Sequence, residues 1–252
     1  MSDEGKKRSA SGTDSENASK NVSWSTLAGI TFPAEFTHGC LCAECYHQDI
    51  GSEASVYLAA VLEFLTSEIL RRACKVAERK KCTRIEPSHI KFLRDYRSWG
   101  RLLSVVNSQH YDVNGEDADY DDEDVDNDDA LGHAANDGEQ KAAPTTDYKI
   151  HIFRVLKQIQ PDLGISKNAI WIMNYFVQGT LHDFATYVRM LGEYEGIKSV
   201  GSVEMESAVG RMLSDEYALS GELSIKAKLE GKKAAEEYAA KLIPPATTAV
   251  AV

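Results

Sequence analysis

The chain has 252 residues, 43% of them hydrophobic, which is enough apolar material for one large packed domain or two small ones. No apolar run approaches the roughly 18 residues of a membrane span, Met1–Ala10 is too polar for a signal peptide, and five cysteines, an odd number, point to free thiols in a reducing intracellular compartment. The net charge of -11 speaks against a nucleic-acid binder only until it is placed along the chain: residues 1–19 carry -1, residues 20–106 carry +3, residues 107–147 carry -13, and residues 148–252 carry none.

In chain order, residues 1–22 are rich in Ser, Gly, Asn and charge and are expected to be a disordered tail. A foldable block over 23–106 follows. In it Leu58, Leu62, Leu65, Ile69, Ala73 and Val76 recur at helical spacing, one stripe on a helix of about seven turns. Pro87 is placed to open a short helix at its first position. Residues 107–147 hold the run Asp119–Asp129, whose like charges repel, and read as a flexible acidic linker. In the second block, 148–241, a short helix over 148–160 ends before Pro161. Ile170, Met173, Val177, Leu181, Phe184, Val188 and Leu191 then form a second long stripe. Pro244-Pro245 stops the last helix, and 242–252 reads as a tail. Each block is short-long-short, and a lone helix cannot bury so long a stripe, so the two blocks are expected to pair in an all-α fold.

One cluster invites a metal: His38, Cys40, Cys42, Cys45 and His47 supply soft ligands at close spacing. Zinc in a knuckle stands beside the alternative of a reduced structural cluster on a helix. No glycine-rich phosphate loop, HExxH motif or nucleophile elbow occurs. An enzyme, an organic cofactor and a small-molecule substrate are therefore not expected.

Val56–Leu70, with Ala28–Pro33 before it and Thr83-Arg84-Ile85 and Pro87-Ser88-His89 after it, resembles histone 2A. Tyr148–Ser166, Ile172-Met173-Asn174, Phe176-Val177, Ser207-Ala208-Val209, and Gly221-Glu222-Leu223 with Glu230-Gly231 and Tyr238 are similar to histone 2B and its extra C-terminal helix. The similarity spans about residues 24–104 and 147–241. The order looks like the fused histone doublets of giant nucleocytoplasmic DNA viruses, which would put the protein in a virion or viral factory, or otherwise in nuclear chromatin.

That resemblance implies two histone folds paired head to tail, wrapping double-stranded DNA together with a histone 3/histone 4 doublet or tetramer. Contacts in such particles are sequence-independent, to phosphates and the inward-facing minor groove. Carried over by position, Lys80, Lys81, Thr83 and Arg84 form the second loop of the first half, and Ile165, Ser166 and Lys167 the first loop of the second half. Lys198 and Ser199 fall in a weaker second loop, and Arg154 on the preceding short helix. Phe36, Gly39, Cys42 and Asp49 stand where the family is basic, which implies a shallower salt dependence and a less stable particle. Of the family's acidic docking patch Glu63 and Glu68 remain, while Arg71, Tyr96, Arg97 and Ser98 replace the rest. The acidic linker is open to three roles: a tether, an internal chaperone competing with DNA, or a substitute for that patch. A second function class, a histone-fold regulator or chaperone mimic that does not wrap DNA, stays open beside packaging.

Overall fold

Two stretches of the same plan account for most of the structure, a computed structural model that describes residues 22–45, 47–94, 103, 147–216 and 221–242. Among these residues the fold is all-α but for four two-residue strands. A short helix α1 (Trp24–Ala28) precedes the first stretch: α2 (Ala34–Glu44), β1 (Asp49–Ile50), α3 (Ser52–Arg79), β2 (Arg84–Ile85) and α4 (Pro87–Arg94). The second repeats the order as α5 (Lys149–Ile159), β3 (Gly164–Ile165), α6 (Lys167–Glu195), β4 (Ser199–Val200) and α7 (Ser202–Arg211). A π-helical turn, Met212–Glu216, then leads to α8 (Gly221–Leu242). No described helix is long and apolar enough to cross a membrane. The expected N-terminal tail up to Asn21, the acidic segment up to Thr146, the patch positions 96–98, and the residues after Leu242 lie outside the described residues.

Local chemistry accounts for most boundaries. Helix α5 stops at Ile159, just short of Pro161, and α4 opens on Pro87 itself, where the missing N–H costs nothing. Helix α1 is five residues long, too short to leave a periodic signal, and its ends define it. The Ser23 hydroxyl accepts the Thr26 N–H at 3.2 Å, and Gly29 closes the helix at φ +69°. In α3 every residue of the stripe from Leu58 to Val76 is buried, and so is every residue from Ala54 to Leu62. A helix buried on all sides over that length must lie at the centre of the molecule.

The two stretches join head to tail. Strand β1 runs parallel to β4 with Asp49 opposite Ser199 and Ile50 opposite Val200, and β2 runs parallel to β3 with Arg84 opposite Gly164 and Ile85 opposite Ile165. One continuous core fills the space between, drawing on both stretches. Tyr148 is fully buried at the seam, its ring 5.2 Å from Phe32 and 5.3 Å from Phe36 and its hydroxyl 2.9 Å from Thr37 Oγ1. The Cys45 thiol reaches the Ala185 carbonyl at 3.3 Å, and Gln48 Nε2 donates to the carbonyls of Val188 and Ile197. Helix α8 makes the most extensive contact, along α3. Gly231 allows that approach, since a Cβ there would lie 2.8 Å from the Tyr57 ring.

Two histidines, one buried and one half-buried, make this packing acid-sensitive. His151 donates from Nδ1 to the Thr31 carbonyl at 2.7 Å, across the seam, and burial holds its pKa below the ordinary 6.5. His89, 2% exposed, accepts the Glu86 N–H at 3.1 Å, and burial and then Lys80 lower it as well. The unfolded chain therefore takes up protons first as pH falls. Stability is full above about pH 7 and is lost as pH drops through and below 6.5. Urea midpoints should fall between pH 7.5 and 5.5, and His151→Gln should flatten the dependence. A flat wild-type profile would count against this assignment.

Candidate nucleic-acid interface

Each parallel strand pair brings a loop from one stretch beside a loop from the other, so the molecule has two ends of the same build. At the β2–β3 end, α3 terminates in a left-handed turn: the Lys81 N–H donates to Glu78 and the Cys82 N–H to Ala77, with Lys81 at φ 58°. This is the position glycine usually fills, and a side chain in it costs about 1 kcal/mol. Here it carries a cation instead. Lys80, Lys81, Thr83 and Arg84 are all exposed. Arg84 Nε donates to Glu86 Oε1 at 2.8 Å, a solvent-exposed pair of small net worth.

The second stretch supplies the other side of this end. The Gly164 N–H donates to the Thr83 carbonyl at 3.0 Å and the Ser166 N–H to the Ile85 carbonyl at 2.9 Å. In a parallel ladder the residue between, Ile165, turns its own amide away from the partner strand. The Ile165 side chain is only 6% exposed and belongs to the core. Any contact that Ile165 makes at this rim is through its backbone, since its side chain faces the core. Ser166 caps α6, accepting the Ala169 N–H at 3.4 Å, and Lys167 is the helix's first residue. Neither α4 nor α6 has an acidic residue in its first turn, so both helix N-termini keep their partial positive charge for an anion.

The β1–β4 end is built alike and charged differently. Lys198 and Ser199 are exposed there, and the register sets the exposed Asp49 directly opposite Ser199. Helix α3 carries Glu53 in its first turn, and Glu204 in the first turn of α7 accepts the Gly201 N–H at 2.9 Å. The positive ends of these helices thus already face carboxylates. Glu53 and Glu204 were missed in the sequence, and Gly201, with no side chain to share in a capping box, leaves Glu204 without a legible signal. Arg154 is exposed on α5 and belongs to neither loop pair.

The two expected patch carboxylates are engaged within the fold. Glu63 is half-buried, and its Oε2 accepts the N–H groups of Thr31 and Phe32 at 2.7 and 2.8 Å. Burial raises its pKa, and those two hydrogen bonds pull partly the other way. Glu68 pairs with Arg72 and, at 3.8 Å, with Arg71. A docking surface of free carboxylates is not what these two side chains form.

The cysteine-histidine cluster is divided between faces. Cys42 lies 3.5 Å from His38 Nε2, and His38 Nδ1 meets Ser55 Oγ at 2.9 Å. Cys45 is fully buried, its thiol pushed up to about 11 by burial and then by Glu44, while Cys40 packs half-buried against the core. His47 is exposed. Among the described residues, no group of three or more His, Cys, Asp or Glu side chains converges as a metal site would need.

No family model matches the chain. Among solved structures, the histone from Methanopyrus kandleri is similar at 14% sequence identity and a TM-score of 0.46, over 75% of this chain and 99% of that one.

Proposed function

We propose that the chain is a DNA-packaging protein: a histone 2A-like fold and a histone 2B-like fold in one polypeptide, with α8 as the extra C-terminal helix. It would wrap double-stranded DNA together with a histone 3/histone 4 partner, in a virion or viral factory or in nuclear chromatin. The observation that carries this reading is the β2–β3 register, because it sets Lys80, Lys81, Thr83 and Arg84 beside Ser166 and Lys167. The two helices that open on this rim have no acidic residue in their first turns, and Glu86, just ahead of α4, is paired with Arg84. Cations and helix dipoles bind phosphate without reading bases. The left-handed Lys81 adds support: a cation kept where glycine would be easier suggests that the charge has a use.

The second reading, a histone-fold regulator that does not wrap DNA, is favoured by the carboxylates at the β1–β4 end. Reconstitution with a histone 3/histone 4 partner and DNA, followed by nuclease digestion, separates the two. Packaging yields a discrete protected fragment. Digestion to completion, with the proteins still associated, supports the regulator.

A further inference from the structure

We infer that the chain holds DNA by one end: the β2–β3 end carries the phosphate contacts and the β1–β4 end contributes little. The inference rests on the DNA-binding reading above and adds a direction to it. The ends are compared like for like by taking, at each, both loops and the first four residues of the helices that follow. Residues 80–90 and 160–170 hold Lys80, Lys81, Arg84 and Lys167 against Glu86 and Asp162. Residues 45–55 and 196–205 hold Lys198 against Asp49, Glu53 and Glu204. The acidity of the β1–β4 end emerges only when the strands pair. Asp49 and Lys198 lie far apart in the chain, and the hydrogen bond from the Asp49 N–H to the Lys198 carbonyl, 2.8 Å, makes them neighbours.

The backbone reinforces the side chains. A phosphate approaching the β2–β3 end meets two helices without carboxylates in their first turns, the nearest one, Glu86 just ahead of α4, being paired with Arg84, whereas at the β1–β4 end it meets Glu53 on α3 and Glu204 folded back onto the Gly201 amide. Repulsion from Asp49 and the two glutamates opposes the single attraction of Lys198 at this end. At the favourable end, Glu86 holds Arg84 in an exposed pair that a phosphate can displace at small cost. The expected result is a footprint centred on one inward-facing minor groove, where a balanced pair of ends would engage two.

The test uses the full chain and a fluorescent 30-base-pair duplex, titrated by anisotropy over a range of salt. Lys81→Ala with Arg84→Ala should weaken binding tenfold or more and make the salt slope shallower by about 2, near 0.9 per lost phosphate contact. Lys198→Ala should stay within twofold with an unchanged slope. Asp49→Arg should tighten binding several-fold. All four positions are exposed, and thermal melts of each variant check that it folds. Lysine-acetylation footprinting of the wild type gives an independent readout, with Lys80 and Lys81 protected by the duplex more than Lys198. Equal losses from the two ends, equal protection of the three lysines, or a double variant that binds like wild type overturns the one-ended grip and leaves DNA binding standing. A wild type with no salt-dependent binding overturns both.

Discussion

Tyr148→Ala should destabilise the fold by about 3–5 kcal/mol, the range for deleting a large aromatic ring from a packed core. The ring is fully buried between Phe32 and Phe36, so its loss opens a cavity where the two stretches meet. Relaxation cannot fill that space easily, because Phe32 and Phe36 are held by the first stretch while residue 148 is anchored to Asn174 of the second. Tyr148→Phe should cost only about 1 kcal/mol. It removes one hydroxyl, and Thr37 Oγ1 keeps a second partner in the Pro33 carbonyl at 3.1 Å. The backbone N–H of residue 148 keeps its bond to Asn174 Oδ1 in both variants. Urea denaturation of the two proteins measures both values. An alanine variant within 1 kcal/mol of wild type would mean that the seam closes without this ring.

Glu63→Ala and Glu63→Gln should differ sharply. Alanine leaves the N–H groups of Thr31 and Phe32 without their acceptor in a half-buried site, at a cost of about 2–4 kcal/mol. Both bonds end on the same oxygen, Oε2, so a glutamine carbonyl can take its place. It also removes a charge that burial disfavours, and the variant should stay within about 1 kcal/mol of wild type. Denaturant midpoints decide the matter. If glutamine is as damaging as alanine, the negative charge itself matters and the view of Glu63 as a clip on the 31–32 backbone fails.

Much of the fold was legible in the sequence, because the long helices bury continuous stripes and the breakers are prolines. Leu58 to Val76 and Ile170 to Val188 are apolar at helical spacing and buried as that spacing requires. Pro87 and Pro161 set helix ends through geometry that does not depend on the rest of the molecule. Helix α1 was not legible, since five residues are too few for a period and its closing glycine signals only a turn. The candidate site was half legible. Lys80, Lys81, Thr83 and Arg84 are exposed as their composition suggests, but Ile165 faces the core, because a strand residue's side chain takes the face that pairing assigns. Glu63 reads as a surface carboxylate until the 29–32 turn folds over it. The acidity of the β1–β4 end depends on which loops become neighbours, and local sequence carries no record of that.

The continuous core has one further consequence. Its halves belong to the same polypeptide, so neither can diffuse away when the other opens. Assembly of the pair is a first-order event, because both halves lie on one chain and the second always finds the first at an effective concentration independent of dilution. The midpoint of thermal unfolding should therefore not vary with protein concentration, whereas that of a dimer of separate chains does. A molecule built this way stays paired at high dilution, where two unlinked chains of the same affinity would drift apart.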